Sequence, residues 1–82
     1  MKISAVICKA CGDTIFSRAH HDFHYCSCGK TFVDGGFDYI RYGFDPSIGR
    51  PDWVEIEVEA TETELCQDWN YRTDKFGTIK NV

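Results

Sequence analysis

The sequence predicts a small, mostly β domain, and three observations support that prediction. Four of its five cysteines form two tight pairs, Cys8 with Cys11 and Cys26 with Cys28, and a glycine directly follows each pair. Residues 53–60 alternate between apolar and acidic side chains with the two-residue period of a β-strand. Residues 34–36 read Asp-Gly-Gly between two apolar runs, which is typical of a tight hairpin turn.

The N-terminal half contains short apolar stretches that we predict to be strands. In chain order these strands cover residues 2–7, 14–17, 23–25, 30–33 and 37–44. The first leads into the first cysteine pair, and a polar stretch between the second and third turns the chain back toward the second pair. The Asp-Gly-Gly turn then joins the last two strands.

The C-terminal half begins after a loop with two prolines at residues 45–51. In the strand predicted over residues 53–60, the apolar side chains share one face: Val54, Ile56, Val58 and Ala60. The acidic side chains share the other face: Glu55, Glu57 and Glu59. This pattern predicts a half-buried strand of an antiparallel sheet.

The segment after this strand predicts one short helix. Thr61 and Glu64 match a capping box, and Leu65 and Trp69 then lie one helical turn apart. We therefore expect a helix over residues 62–71, followed by a last short strand in the tail.

These elements predict a mostly β fold, or a small α+β fold if the helix is counted. A chain of 82 residues is expected to form a single domain. Antiparallel hairpins over residues 1–44 would be extended by the strand and helix over residues 52–82. So short a chain buries a small core, which makes an added cross-link valuable.

The cysteine spacing predicts a tetrahedral zinc site. Each tight pair places two thiolates on one turn, and a hairpin brings the two turns together. Gly12 and Gly29 suit such turns, because the chain leaving a metal-binding turn often needs a positive φ. The candidate ligands are Cys8, Cys11, Cys26 and Cys28. They predict a zinc ribbon with one structural Zn²⁺ per chain and no open position for substrate.

Alternatives remain open at the cysteines. The Cys26-x-Cys28 pair spans a short distance, so His24 could replace one thiolate. Disulfides or iron would also use paired thiols. Against disulfides, a C-x-C pair bridges poorly to itself, and the N-terminal residues carry no export signal. Cys66 has no evident partner, and we expect it to be a small buried hydrophobe.

The histidines cluster at His20, His21 and His24, beside Asp22. They fit a polar hairpin tip with one histidine close to the zinc, or else a second metal site or an acid–base pair. Clustered histidines alone are a weak signal, so we expect a protein that is not an enzyme. The enzymatic alternative is a metal-dependent hydrolase that uses His21, Asp22, His24 and Asp34.

Two candidate partner surfaces follow from the sequence. The first lies after the hairpin turn and mixes acidic, aromatic and basic side chains: Asp34, Asp38, Tyr39 and Arg41. The second is the polar face of the 53–60 strand: Trp53, Glu55, Glu57 and Glu59. Tyrosine, tryptophan and arginine are the types that anchor protein interfaces. The glutamate face is also typical of a solvated edge that resists aggregation.

The charge of the chain argues against a general nucleic-acid binder. Adding four thiolate charges and one Zn²⁺ to the formal charge of −4 gives about −6, whereas such binders usually present a basic face. The sequence also shows no leader peptide and no segment long enough to span a bilayer. We therefore expect a cytoplasmic protein of undetermined oligomeric state.

The ordered motifs of residues 6–42 resemble a family of small uncharacterised proteins from bacteriophages and bacteria, catalogued as a domain of unknown function. The motifs are C-x-x-C-G-D at 8–13, H-D-F at 21–23, C-S-C-G at 26–29 and V-D-G-G-x-D-Y-x-R at 33–41. The resemblance implies a zinc-ribbon-like fold, an intracellular setting, the host cytoplasm included, and a phage origin. It implies no established activity.

We expect a zinc-stabilised module that binds a host protein. Combined with the resemblance, this function takes the form of a phage-encoded modulator or inhibitor of a host enzyme or defence complex. The alternative is a zinc ribbon that binds single-stranded DNA or RNA, with aromatic side chains stacked on bases.

Overall fold

A computed structural model describes residues 1–19, 22–35, 40–73 and 75–81 of the chain. Within these ranges it contains seven strands and one helix, which confirms the predicted mostly β class. The elements are β1 (Lys2–Ile7), β2 (Thr14–Ile15), β3 (His24–Tyr25), β4 (Thr31–Gly35), β5 (Ile40–Phe44), β6 (Asp52–Glu57), α1 (Glu62–Tyr71) and β7 (Thr78–Ile79).

The strands form two antiparallel sheets. The first has the order β6-β1-β2-β7, and the second has the order β3-β4-β5. β1 pairs with β6 along its whole length, from Lys2 opposite Glu57 to Ile7 opposite Asp52. β2 covers only the end of β1, where Val6 lies opposite Ile15. β1 is thus one of the two inner strands of the first sheet.

The two faces of the first sheet contribute to different cores. One core lies beneath α1 and consists of Ile3, Ala5, Phe16, Val58 and Leu65. The other lies against the second sheet and consists of Val6, Cys8, Ile15, Cys26 and Val33. Successive residues of a strand point to opposite faces, so β1 contributes to both cores. The second core contains two of the paired cysteines, which joins the candidate metal centre to the packing of the sheets.

The predicted helix is confirmed at both ends. α1 covers Glu62–Tyr71, and the Thr61 hydroxyl accepts a hydrogen bond from the Glu64 N–H at 3.2 Å. The Glu64 carboxylate in turn accepts one from the Thr61 N–H at 3.2 Å. This capping box satisfies two backbone donors that would otherwise lack partners. Leu65 of α1 is fully buried, and its side chain packs the helix against the first sheet.

Some predicted strand limits were wrong. The second strand ends at Ile15 instead of residue 17, because the Ser17 hydroxyl and the Arg18 N–H both hydrogen-bond to Asp22. The fourth strand continues through the predicted turn, since Asp34 pairs with Arg41 and Gly35 with Ile40. The hairpin is therefore present, but its connection falls at residues 36–39, outside the described residues.

A buried ionic network joins the C-terminal half to the first sheet. Arg18 donates from Nε to Asp22 Oδ2 and from Nη1 to Asp68 Oδ2, both at 2.8 Å. All three side chains are at least nine-tenths buried. Asp68 also accepts hydrogen bonds from the N–H groups of Lys75 at 2.8 Å and Phe76 at 3.0 Å. One carboxylate of α1 therefore holds both Arg18 and the tail that leads to β7.

Both carboxyls of this network have a lowered pKa. Burial alone would raise the pKa of Asp68, but hydrogen bonds from Thr73, Arg18 and two backbone N–H groups outweigh it and bring the pKa to about 2. Burial also opposes ionisation of Asp22, where hydrogen bonds from His24 and Arg18 hold the pKa well below its usual range. Both aspartates are thus charged at neutral pH, as the buried guanidinium requires.

Asp68→Asn preserves the shape of the side chain and removes its charge, so Arg18 loses one of the buried carboxylates that it contacts. We expect the metal-loaded variant to lose about 1.5–3 kcal/mol of unfolding free energy at neutral pH, measured by urea denaturation. The matched control is Asp52→Asn, which breaks an exposed pair with Lys9 at 2.9 Å and should cost less than about 1 kcal/mol.

The wild type and Asp68→Asn also allow a test by pH. The charge of Asp68 stabilises the fold above its unfolded pKa of about 4, and this contribution is lost as the pH falls toward the folded value of about 2. The stability difference between wild type and Asp68→Asn should therefore shrink below about pH 4. A difference that stays constant down to the lowest pH at which both fold would contradict this role.

Candidate metal centre

The first cysteine turn closes directly after β1. The Cys8 N–H donates to the Asp13 carbonyl at 2.9 Å, and the Gly12 N–H donates to the Cys8 carbonyl at 3.0 Å. Gly12 has a φ of +78°, and a Cβ atom there would lie 2.4 Å from Nδ2 of Asn81. The backbone conformation therefore favours glycine, as the sequence predicted, whereas the exposed Asn81 side chain could move aside for a Cβ atom.

The second turn repeats this construction between β3 and β4. The Cys26 N–H donates to the Thr31 carbonyl at 2.9 Å, and the Gly29 N–H donates to the Cys26 carbonyl at 3.0 Å. Gly29 also has a positive φ, of +75°. This turn is at the same time the turn of the β3–β4 hairpin, so the cysteines sit in the connection that aligns the two strands.

The four predicted ligands come together. The Sγ atoms of Cys8, Cys11, Cys26 and Cys28 all lie within 4.8 Å of one another. Cys28 Sγ is 3.4 Å from Cys26 Sγ and 3.6 Å from Cys8 Sγ. A tetrahedral zinc with Zn–S bonds of about 2.3 Å needs S–S separations near ~3.8 Å, so the donor set fits a Zn²⁺ ion. The cysteines are thus positioned to hold a metal ion.

The pKa values of Cys8, Cys11 and Cys28 are shifted in opposing directions. Burial favours the thiol of Cys8, but the neighbouring Thr31 hydroxyl and backbone N–H groups outweigh it and lower its pKa to about 6. Burial raises the pKa of Cys11 to about 12. At Cys28 the Lys30 N–H favours the thiolate, yet the sulfurs of Cys26 and Cys8, together with burial, raise its pKa. A divalent cation removes this conflict, because it binds all four groups as thiolates.

Thr31 supports the same assignment. Its side chain is fully buried, and its hydroxyl has no hydrogen-bond partner among the described residues. It interacts with Cys8, whose pKa it lowers. A buried hydroxyl without a partner is costly, and a metal-bound thiolate is a natural acceptor for it. Thr31 therefore suits a site in which Cys8 is ionised.

Asp13 links the two cysteine turns and was not predicted as a site residue. Its buried carboxylate accepts from the Ser27 N–H at 3.0 Å and from the Asn81 N–H at 3.1 Å. Hydrogen bonding by Ser27 is the main reason that the pKa of Asp13 is lowered. The sequence carried one signal for this role, since the aspartate directly follows the first C-x-x-C-G motif.

His24 lies outside the sulfur cluster. Its Nδ1 is 3.2 Å from Asp22 Oδ1, and its Nε2 is 3.1 Å from the Gly77 carbonyl oxygen. Both ring nitrogens are therefore engaged in hydrogen bonds, which disfavours His24 as a replacement ligand and as an acid–base group. Asp22 belongs to the Arg18 network, while His20 and His21 fall outside the described residues.

The first 44 residues of the chain, which contain both cysteine turns, match one known family, described as "Domain of unknown function (DUF7695)". The chain belongs to this family. Neither the curated proteins nor the solved structures gave a match. In the described ranges, every helix is too short or too polar to cross a bilayer. Family membership thus covers the N-terminal half, with the metal centre, and brings no activity with it.

The two predicted partner surfaces of this family member lie on different sheets. Arg41 and Asp34 form an ion pair at 3.6 Å on the second sheet, with Arg41 largely exposed. Trp53, 57% exposed, and the exposed glutamates Glu55, Glu57 and Glu59 lie on or just beyond β6 of the first sheet. Asp38 and Tyr39 fall outside the described residues. Cys66 is half-buried against the first core, a more exposed position than predicted.

Three aromatic side chains form a surface cluster that the sequence analysis missed. In this aromatic cluster of Phe23, Tyr25 and Phe32, the ring centroids lie 5.0–5.5 Å apart. Phe23 is 51% exposed and Tyr25 is 52% exposed. The Phe32 ring covers Gly43, where a Cβ atom would lie 2.2 Å from it. The spacing of Phe23 and Tyr25 could have shown that both point to one side of a strand.

Cys8→Ser should abolish stoichiometric metal binding, because it removes a buried ligand. We expect one zinc per wild-type chain by elemental analysis and an affinity loss of more than about 100-fold in the variant, larger than the loss of a supporting hydrogen bond causes. Cys66→Ser is the control and should retain one zinc. A strong chelator should also remove β-structure from the wild type. Full zinc occupancy in Cys8→Ser would contradict the assignment.

Proposed function

We propose that this protein is a non-enzymatic, zinc-stabilised module that binds a partner protein through the aromatic cluster. The observation that carries the proposal is the exposure of Phe23 and Tyr25, each about half accessible although they pack against each other. Clustered aromatic rings contribute more to protein interfaces than most other side chains. Leaving them in water has no benefit for the isolated fold.

The proposed metal has a defined role in this function. Tyr25 is the last residue of β3 and lies opposite Phe32 of β4, and the second cysteine turn joins these two strands. A Zn²⁺ bound by the four thiolates would hold that turn and so fix the two rings side by side. A site with four protein thiolates leaves no coordination position for a substrate, which favours a structural ion over a catalytic one.

Polar side chains next to the cluster suit the rim of an interface. On β4, Asp34 lies two residues from Phe32 and therefore on the same face, opposite Arg41 of β5. The two side chains pair loosely, at 3.6 Å, and Arg41 is 67% exposed. A partner could therefore recruit either charge at little cost. An aromatic centre with a polar rim is the usual arrangement of a protein interface.

The partner that we propose is a host protein. This step rests on the resemblance of the ordered motifs in residues 6–42 to proteins of bacteriophages and bacteria. A small acidic chain with a closed metal site suits a phage-encoded modulator or inhibitor of a host enzyme or defence complex. The net charge of −4 also favours a partner with a basic surface.

The test is affinity capture from bacterial lysate with matched variants. We expect the wild type to capture a reproducible partner and Phe23→Ser/Tyr25→Ser to lose at least about 90% of it, as for interface hot spots. The control is Tyr71→Ser, which removes an aromatic ring that is 76% exposed on α1. Zinc content should be equal in all three proteins. Equal capture by the cluster variant would contradict the proposal.

The second candidate function is binding of single-stranded nucleic acid, and the aromatic cluster is also the observation that favours it. Exposed rings on a β-sheet are the platform on which several domains stack bases. The charge of −4 opposes this function. Fluorescence anisotropy with labelled single-stranded DNA and RNA at low salt decides between the two. Binding that needs Phe23 and Tyr25 and weakens steeply with salt would replace the protein-binding proposal.

A further inference from the structure

We infer that the open edge of β6 docks an extended basic segment of a partner protein, which pairs with β6 as an additional strand. This surface belongs to the first sheet, whereas the aromatic cluster belongs to the second. The inference therefore goes beyond the proposed function and can hold or fail separately.

β6 is an edge strand with free backbone groups. It is the first strand in the sheet order β6-β1-β2-β7, and within the described ranges it pairs with β1 alone. Its six residues, Asp52–Glu57, are long enough to accept another strand. Such an edge offers a row of N–H and C=O groups to any chain that fits beside it.

The hydrogen bonds at the sheet end show which residues carry the free groups. The amine of Met1 donates to the Val58 carbonyl at 2.8 Å, and the Val58 N–H donates to the Met1 carbonyl at 2.8 Å. Hydrogen-bonded and non-hydrogen-bonded pairs alternate along an antiparallel ladder. In the observed register, the backbone groups of Trp53, Glu55 and Glu57 therefore point away from β1.

The same residues carry the exposed side chains. Trp53 is 57% exposed, and the side chains of Glu55 and Glu57 are 53% and 66% exposed. A residue of an added strand directly opposite one of them would lie about 5.5 Å away between Cα atoms, on the same face. Opposite-charge pairs at this spacing stabilise a sheet. Lys or Arg opposite the glutamates is therefore favoured.

Cations within the chain leave these carboxylates available. Glu57 lies 3.2 Å from the N-terminal amine, and Glu55 lies 3.9 Å from Lys2 Nζ. Both cations belong to β1 or to the residue before it. They therefore approach Glu55 and Glu57 from the side of β6 that pairs with β1. The far side, where an added strand would lie, is open to a basic side chain.

Charge also makes a second copy of this chain a poor occupant. A symmetric antiparallel pair of β6 strands must keep Val54 on the core face of both copies. Two such registers pair five of the six strand residues: one places Glu55 opposite Glu55, and the other places Glu55 opposite Trp53, which offers the glutamate no cation. Like charges directly opposite each other destabilise a sheet, and each copy already carries a net charge of −4. The edge of β6 thus disfavours pairing with a second copy of this chain and favours pairing with a basic strand.

The first test uses a labelled peptide in which Lys alternates with Val, together with a Glu-Val control peptide. Fluorescence anisotropy with the zinc-loaded protein at low salt should detect binding of the Lys peptide alone, weakening as salt is added. Glu55→Lys/Glu57→Lys should reverse the preference toward the Glu peptide by at least about tenfold. Failure of the wild type to prefer the Lys peptide, or an unchanged preference in the variant, would overturn the inference.

The second test separates strand pairing from simple charge attraction. Glu55→Gln removes the charge, whereas Glu55→Pro also removes an N–H that points away from β1, so the ladder to β1 stays intact. We expect the Pro variant to bind the Lys peptide at least about fivefold more weakly than the Gln variant, the equivalent of one hydrogen bond. An N-methylated Lys peptide probes the same bonds on the wild type, in case the Pro variant misfolds. Equal binding in both comparisons would rule out strand pairing.

Two measurements distinguish the other outcomes. A dimer in analytical ultracentrifugation that Glu55→Pro dissociates would assign the edge to self-pairing and overturn the inference. Phe23→Ser/Tyr25→Ser should bind the Lys peptide as the wild type does, because the aromatic cluster lies on the other sheet. Loss of peptide binding in that variant would place the peptide on the aromatic cluster and likewise overturn the inference.

Discussion

Four thiols held within 4.8 Å of one another are the constraint on which the rest of this structure depends. Thiolates at that distance repel one another, which favours binding of a cation, and two of the four, Cys8 and Cys26, are buried in the core between the sheets. A metal ion would therefore connect the charge balance of the site to the packing of both sheets. In so short a chain, this link would supply stability that apolar burial alone provides poorly.

Two further connections join the metal centre and the first sheet to the C-terminal half of the chain, which the family match does not cover. The Asp13 carboxylate joins the two cysteine turns to Asn81, and the Arg18 network joins the first sheet to α1 and to the residues before β7. Each connection is a buried charge with several hydrogen bonds, so its geometry is fixed more tightly than apolar contact would fix it. Buried polar contacts therefore connect the sheets that carry the candidate surfaces.

The two candidate surfaces differ in their chemistry. The aromatic cluster on the second sheet is apolar with a balanced ionic rim, whereas the edge of the first sheet is acidic and offers backbone hydrogen bonds. Neither arrangement is needed to complete a core, and each suits a different part of a protein partner. A small chain that uses both can bind a larger protein at two points, which increases affinity without a larger core.

Local chemistry was enough to predict much of this protein from its sequence. The capping box fixed α1, the alternation of Val54 and Ile56 with glutamates fixed the faces of β6, and the glycines after each cysteine pair fixed the turns. Each of these features depends on residues within a few positions of one another, so a single sequence reveals them. The cysteine pairs are the exception, because a metal site requires its distant halves to meet.

Only the tertiary structure decided which distant polar groups are partners. Arg18 and Asp68 are 50 residues apart, and their types alone did not predict a buried pair. The exposure of Phe23 and Tyr25 was equally hidden, since an aromatic side chain in a strand usually faces a core. The open edge of β6 follows from strand order, a property of the assembled sheet. Periodicity and turn chemistry act between neighbours in sequence, whereas these features depend on which segments the folded chain brings together.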